Sequence, residues 1–169
     1  MPRARHPSRI PVGPDGRMRH ALTADAVLVE RGRVLLVRRG NPPFRGRLAL
    51  PGGFVAGDES AEDAVLRELA EETGLEGRVL GLVGLYSAPG RDPRGPTATA
   101  VYLVERAGGR LQAGDDAASA TFVPVPLARR TALAFDHSAV LRDALLFRAA
   151  LLRALLGAPS RTRRAPRRP

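Results

Sequence analysis

Residues 51–75, PGGFVAGDESAEDAVLRELAEETGL, constrain the fold more than any other stretch of this chain. Gly52, Gly53 and Gly57 sit in a loop where the backbone turns tightly or comes close to a bound ion. The helix that follows has both ends written into it. Ser60 followed by Asp63 has the pattern of a capping box, and Gly74 supplies the left-handed residue that ends a last turn. Between them Ala61, Val65 and Leu69 recur every four residues and give the helix a face to bury. Glu68, Glu71 and Glu72 stand at i, i+3 and i+4, so three carboxylates project from one face. Like charges on one patch cost energy unless cations offset them, and hard oxygen donors suit Mg²⁺ or Mn²⁺. Arg67, four residues before Glu71, can pair with it. An isolated run such as ELAEE is most often a solvated face. The glycine loop before it, and Glu59 at the helix entrance, turn the reading toward a metal site.

The segments around this helix are extended. ALTADAVLVE (21–30) and RVLLVRR (33–39) are β-leaning runs separated by Arg31-Gly32, which predicts a hairpin. RVLGLVGLYS (78–87), TATAVYLVE (97–105) and SATFVPV (119–125) read as three further strands. A second helix over 138–156 is apolar around most of its circumference, which points to core packing or, as the alternative, to a subunit interface. Strands on both sides of a central helix, with a terminal helix, predict an α/β fold in which a mixed sheet is sandwiched between helices.

Length and charge set the domain limits. At 169 residues one core is expected, over 19–157. The formal charge of +10 resides at the ends: residues 1–20 carry five Arg and one Asp, and residues 157–169 carry five Arg. Residues 1–18 therefore read as a basic Pro/Gly-rich arm and 158–169 as a disordered, Arg-rich tail. This distribution argues against a nucleic-acid partner. Absence of cysteine excludes thiol catalysis and Cys-based zinc sites. Prolines break any signal-peptide core near the N-terminus, and Arg142, Asp143, Arg148 and Arg153 interrupt the most apolar segment. A cytoplasmic enzyme with no membrane partner fits these features.

Reading from Gly53, five spacers lead to Glu59, seven lead to Arg67-Glu68, and Leu69, Glu71-Glu72, Gly74 and Leu75 follow. Seven fixed identities at this spacing arise by chance about once per billion start positions at uniform residue frequencies. The segment resembles the complete box of the Nudix hydrolases, and the resemblance extends over roughly 20–156. It implies an α/β/α sandwich and metal-dependent attack of water on a nucleoside diphosphate derivative. By position, Glu68 and Glu72 would be the principal metal ligands. Glu71 would be a further ligand or help to activate water, and the Gly52 carbonyl would face the metal. Gly53, Glu59, Arg67 and Gly74 would support the box. Family members often add an acid from a distant loop as general base; Asp115 and Asp116 are candidates, with a turn or N-cap role as the alternative.

The loop LYSAPGRDPRG (85–95) has Pro89 fifteen residues beyond Gly74. It resembles the Nudix group that hydrolyses ADP-ribose, as do AGDDAASATF (113–122) and LAFDH (133–137). The resemblance implies cleavage to AMP and ribose 5-phosphate. Arg91 and Arg94 would grip phosphate or ribose oxygens, and Phe44, Tyr86 and Phe135 would stack on adenine or line its pocket. Two rival functions stay open: a nucleoside triphosphate pyrophosphohydrolase that sanitises damaged nucleotides, and a nucleotide-sensing protein without catalysis. The intact acidic box argues against the second. A homodimer is compatible with the apolar terminal helix.

Overall fold

The computed structural model describes residues 10, 12–112 and 117–157. Strands β1 (Ala21–Glu30) and β2 (Arg33–Arg39) form the expected hairpin. Its two turn residues, Arg31 and Gly32, have φ of 49° and 73°, the left-handed conformation that matches the twist of paired strands. Next come β3 (Leu48–Ala49), β4 (Gly52–Phe54), helix α1 (Ala61–Thr73), β5 (Leu75–Tyr86), β6 (Thr97–Gly109) and β7 (Ala117–Pro124), then the short α2 (Val125–Ala128) and α3 (His137–Leu156). The sheet order is β3-β2-β1-β6-β5, with β4 on β1 and β7 on β2. β1 and β6 run parallel while the other pairs are antiparallel, so the sheet is mixed as predicted.

Both faces of the sheet are covered. Side chains alternate along a strand, so Ala24, Ala26 and Leu28 of β1 pack with Val65 and Leu69 of α1, while Val27 packs with Val140 and Leu141 of α3. Thr23 and Asp25 share the face of Val27 and are polar yet buried, at 7% exposure each. They form part of the site described below. Among the described residues no helix is long and apolar enough to cross a membrane.

The structure departs from the sequence reading in four places. Gly52 and Gly53 belong to a strand rather than a tight turn, because β4 must lie against β1: a Cβ on Gly52 would collide with the Ala24 carbonyl and the Asp25 carboxylate. β5 starts at Leu75, earlier than expected, since Gly74 (φ 69°) turns the chain straight from α1 into the strand. Ile10 is buried against Ala21 and Phe54, and Val12 bridges Met18, so this part of the N-terminal arm packs on the domain. The fully buried residues of α3 all lie in its first half, His137, Val140, Leu141 and Ala144, with Phe147 and Leu151 partly buried against the same core; Leu146, Leu155 and Leu156 face solvent. Residues 1–9, 11, 113–116 and 158–169 lie outside the described residues, and with them the candidates Asp115 and Asp116 and the Arg-rich tail.

Candidate active site

Helix α1 is capped as predicted: Ser60 Oγ accepts the Asp63 N–H at 3.0 Å, and Asp63 Oδ2 accepts the Ser60 N–H at 3.4 Å. The cap fixes where the acids fall. Glu68 lies on the buried side with Val65 and Leu69 and is 9% exposed, and a carboxylate in such a place needs a partner. Arg67 provides one, with Nη1 donating to Glu68 Oε1 at 2.8 Å. Its grip on Glu59 is more extensive: Glu59 Oε1 accepts from Nη2 at 2.7 Å and Oε2 from Nε at 3.0 Å. Nη2 also reaches the Phe54 carbonyl at 3.2 Å, and Glu59 Oε1 accepts the Ala56 N–H at 2.8 Å. One guanidinium thus joins the glycine loop, the helix entrance and the acidic face. The Glu59 hydrogen bonds are the first cause that keeps Arg67 protonated well above the ordinary arginine range. The expected Arg67–Glu71 pair is present but longer, at 3.4 Å, because Glu71 is more than half exposed.

Glu72 turns toward the loop, where its Oε2 accepts the Gly52 N–H at 3.0 Å. Burial pushes its carboxyl up to about 8; the Gly52 N–H opposes this, and the charges of Glu68 and Asp25 add to it. Gly53 is required beside Glu68, since a Cβ there would fall within 2.8 Å of Glu68 Oε2 and closer to the rest of that carboxylate. Among the described residues no three acid or imidazole groups converge tightly enough to hold an ion as they stand. The i, i+3, i+4 spacing brings the acids to one side, where Glu68 and Glu71 both accept from Arg67 Nη1 while Glu72 accepts from the Gly52 N–H instead. The donor set is nonetheless all oxygen. Glu68 and Asp25 place further negative charge beside Glu72, and oxygen donors of this kind suit a hard divalent cation.

The loop opens onto a cavity lined by Asp25, Gly52 and Gly53 on one side and by Arg39, Arg94 and Phe135 among others. Sequence reasoning missed Asp25, Arg39 and His137 as site residues. Asp25 had a signal, an acid inside the apolar run of β1. His137 Nδ1 accepts the Leu50 N–H at 2.9 Å, so its ring proton sits on Nε2, which faces Asp25 Oδ2 at 3.2 Å. This pair pins the residues before Gly52 to β1 and to the start of α3.

The predicted substrate residues divide. Arg91 lines the cavity, but its fork is spent inside the protein: Nε and Nη2 donate to Asp136 at 2.9 and 2.7 Å, and Nη1 to Thr97 (3.2 Å) and Thr99. Arg94 donates to Asp92 and lies over the rings of Phe54 (4.9 Å) and Phe135 (5.6 Å). Burial alone would raise the Asp92 carboxyl; the hydrogen bonds from Arg94 hold it below its usual range. Arg39 donates through Nε to the Pro43 carbonyl at 2.7 Å and lies 4.8 Å over Phe135. Neither of its Nη groups has a hydrogen-bond partner among the described residues, and burial, then the Arg94 charge, lowers its pKa. Phe44 meets Phe135 edge-on at 5.0 Å. Tyr86 is tied to Asp143 at 3.0 Å, and burial with this bond pushes its phenol up to about 12. Pro89 is exposed, and neither it nor Tyr86 lines the cavity.

The family model for the NUDIX domain matches residues 19–144. An ADP-ribose pyrophosphatase of Methanocaldococcus jannaschii is 46% identical over 123 residues, 73% of this chain and 72% of the relative. An ADPR-responsive transcriptional repressor of Acinetobacter baylyi is 33% identical over 131 residues, covering 73% of this chain and 52% of its own length. Among solved structures, the NUDIX domain of Shewanella oneidensis NrtR complexed with ADP ribose superposes with a TM-score of 0.71 at 33% identity, covering 82% of this chain and 93% of that domain. The glycine loop, the Arg67 clamp and the acidic face of α1 all fall within the matched span, and the chain belongs to the Nudix domain family.

Proposed function

We propose that this chain is a metal-dependent diphosphatase that cleaves ADP-ribose to AMP and ribose 5-phosphate. The observation that carries the reading is the meeting of two opposite charge fields at Gly52–Gly53: the acidic face of α1 on one side, and a cavity bearing Arg39, Arg94 and Phe135 on the other. A diphosphate between two sugars needs both, cations for its phosphates and an apolar or aromatic surface for its base. The name of the archaeal relative and the ligand of the Shewanella domain point to the same substrate.

Glu68 and Glu72, with Glu71 and the Gly52 carbonyl beside them, would hold Mg²⁺ or Mn²⁺. When bound there, such an ion would supply activation of the attacking water and offset charge on the phosphate oxygens. Water attacks one phosphorus in line, its oxygen forms the new P–O bond, the bridging P–O bond breaks, and the water proton passes to solvent or a carboxylate. Arg67 fixes the acids against the loop. The open Nη groups of Arg39 offer the fixed donors a phosphate oxygen needs, and because they are preorganised they favour the transition state. Arg91 positions the loop 85–95 through Asp136 rather than meeting substrate itself.

A substrate panel with product identification, run with Mg²⁺ and with Mn²⁺, tests the reading. ADP-ribose should turn over faster than dGTP or an oxidised dGTP at equal subsaturating concentration. Faster triphosphate cleavage would replace the substrate, and binding of ADP-ribose with no turnover in either metal would make the chain a sensor, as the Acinetobacter relative is named.

A further inference from the structure

The family match begins at residue 19, yet Ile10 packs on Phe54, which lines the cavity, and Met18, at the end of the turn Val12–Met18, packs on Gly95 beside the lining residue Arg94. The turn is closed on itself by the Gly13 N–H to the Arg17 carbonyl at 2.8 Å and the Gly16 N–H to the Gly13 carbonyl at 3.0 Å. Ile10, 8% exposed, packs with Ala21 and Phe54. Met18 Cε and Ile10 Cδ1 occupy the space where Gly95, with φ of 143°, would carry a side chain. The Ala21 N–H to the Pro96 carbonyl, at 3.1 Å, fastens the same loop to β1.

The two residues gripped in this way are two of the supports of Arg94. Gly95 follows it in the chain, and the Phe54 ring lies under its guanidinium at 4.9 Å. From the opposite side Asp92 accepts from Arg94 Nε at 3.0 Å and Nη2 at 2.7 Å, and the Gly95 N–H reaches the Asp92 carbonyl at 3.2 Å. Without the packing of Ile10 and Met18, the Asp92–Gly95 turn keeps its internal bonds and the anchors at Arg91 and Pro96 but loses the apolar contact that sets its place beside Phe54.

We propose that Ile10 and the Val12–Met18 turn form a clasp belonging to the substrate site, holding Arg94 and Phe54 where they meet the nucleotide and so setting KM. The proposal rests on the reading of the cavity as the nucleotide site. The clasp acts on binding more than on the box, because the Arg67 contacts that order Glu59 and Glu68 lie within the loop and helix themselves, and Arg67 meets Phe54 at a backbone carbonyl on a strand that the β1–β4 pairing already holds.

The test uses the full chain and whichever nucleotide the wild type turns over fastest, so that a wrong substrate assignment is exposed separately by the panel. The double variant Ile10→Ala with Met18→Ala should raise KM about five- to tenfold with kcat within about twofold, since misplacing a binding group removes interaction common to ground and transition states. The conservative pair Ile10→Val with Met18→Leu should restore KM. Should circular dichroism show the double Ala variant unfolded, Met18→Ala alone is read the same way, because Met18 is 49% exposed and its loss leaves the core intact. A KM within about twofold of wild type in the folded variant, or a fall in kcat at unchanged KM, overturns the clasp.

Discussion

Replacing Gly53 with Ala should silence the enzyme while leaving it folded. The added methyl would lie 2.8 Å from Glu68 Oε2 and nearer still to the other atoms of that carboxylate, closer than real Cβ contacts permit. What yields is the far end of a flexible side chain. An off-rotamer χ costs about 0.5–1.5 kcal/mol, and Arg67 keeps its bonds to Glu59 and Phe54 when Glu68 swings away. The stability loss is therefore ~1–2 kcal/mol against the ~5–15 kcal/mol of an ordinary domain. A catalytic group displaced by ~1 Å costs on the order of 10²-fold in rate, so kcat should collapse while the thermal transition moves only a few degrees. Gly52→Ala gives the contrast. Its methyl meets the Ala24 carbonyl and the Asp25 backbone, which belong to a central strand and cannot move, so the cost reaches or exceeds the top of the ~1–3 kcal/mol overpacking range. Circular dichroism melts and steady-state rates on both variants decide the matter. Wild-type kcat in Gly53→Ala would refute the claim that the loop sets the position of Glu68.

In chelator, the folded chain should lose stability as pH rises from about 4.5 to about 8: the folded Glu72 carboxyl holds its proton through that window while the unfolded one does not. Melts at pH 5, 7 and 9 should show the slope, Glu72→Gln should remove it, and divalent metal, which favours the carboxylate, should flatten it. Arg91→Ala should lower the melting temperature by stranding Asp136, which accepts two of its hydrogen bonds, whereas Arg39→Ala should lower kcat at nearly unchanged stability; the reverse pattern would exchange their roles. His137→Ala leaves the Leu50 N–H and Asp25 without their imidazole partner, a loss of roughly 2–6 kcal/mol at ~1–3 per buried unpaired group, and urea unfolding reads it directly.

The sequence by itself determined what depends on neighbours along the chain. The limits of α1 follow from Ser60, Asp63 and Gly74 because caps are local hydrogen bonds, and the β1–β2 hairpin follows from Arg31-Gly32 because a two-residue turn is local geometry. The acidic face of α1 was legible for the same reason: helical spacing alone brings Glu68, Glu71 and Glu72 to one side. Tertiary structure decided everything that joins distant segments. Asp25 and His137 are 112 positions apart and meet only because β1 and the start of α3 pack together. The resemblance of the loop 85–95 made Arg91 look like a substrate ligand, but Asp136, Thr97 and Thr99 take up most of its donors, while Arg39, unremarked in the sequence, kept two groups open. The N-terminal arm lacks any apolar period, so Ile10 and Met18 became core and clasp only once the Asp92–Gly95 turn folded against them. Period and capping carry local information; a hydrogen-bond donor's availability depends on what the rest of the chain brings to it.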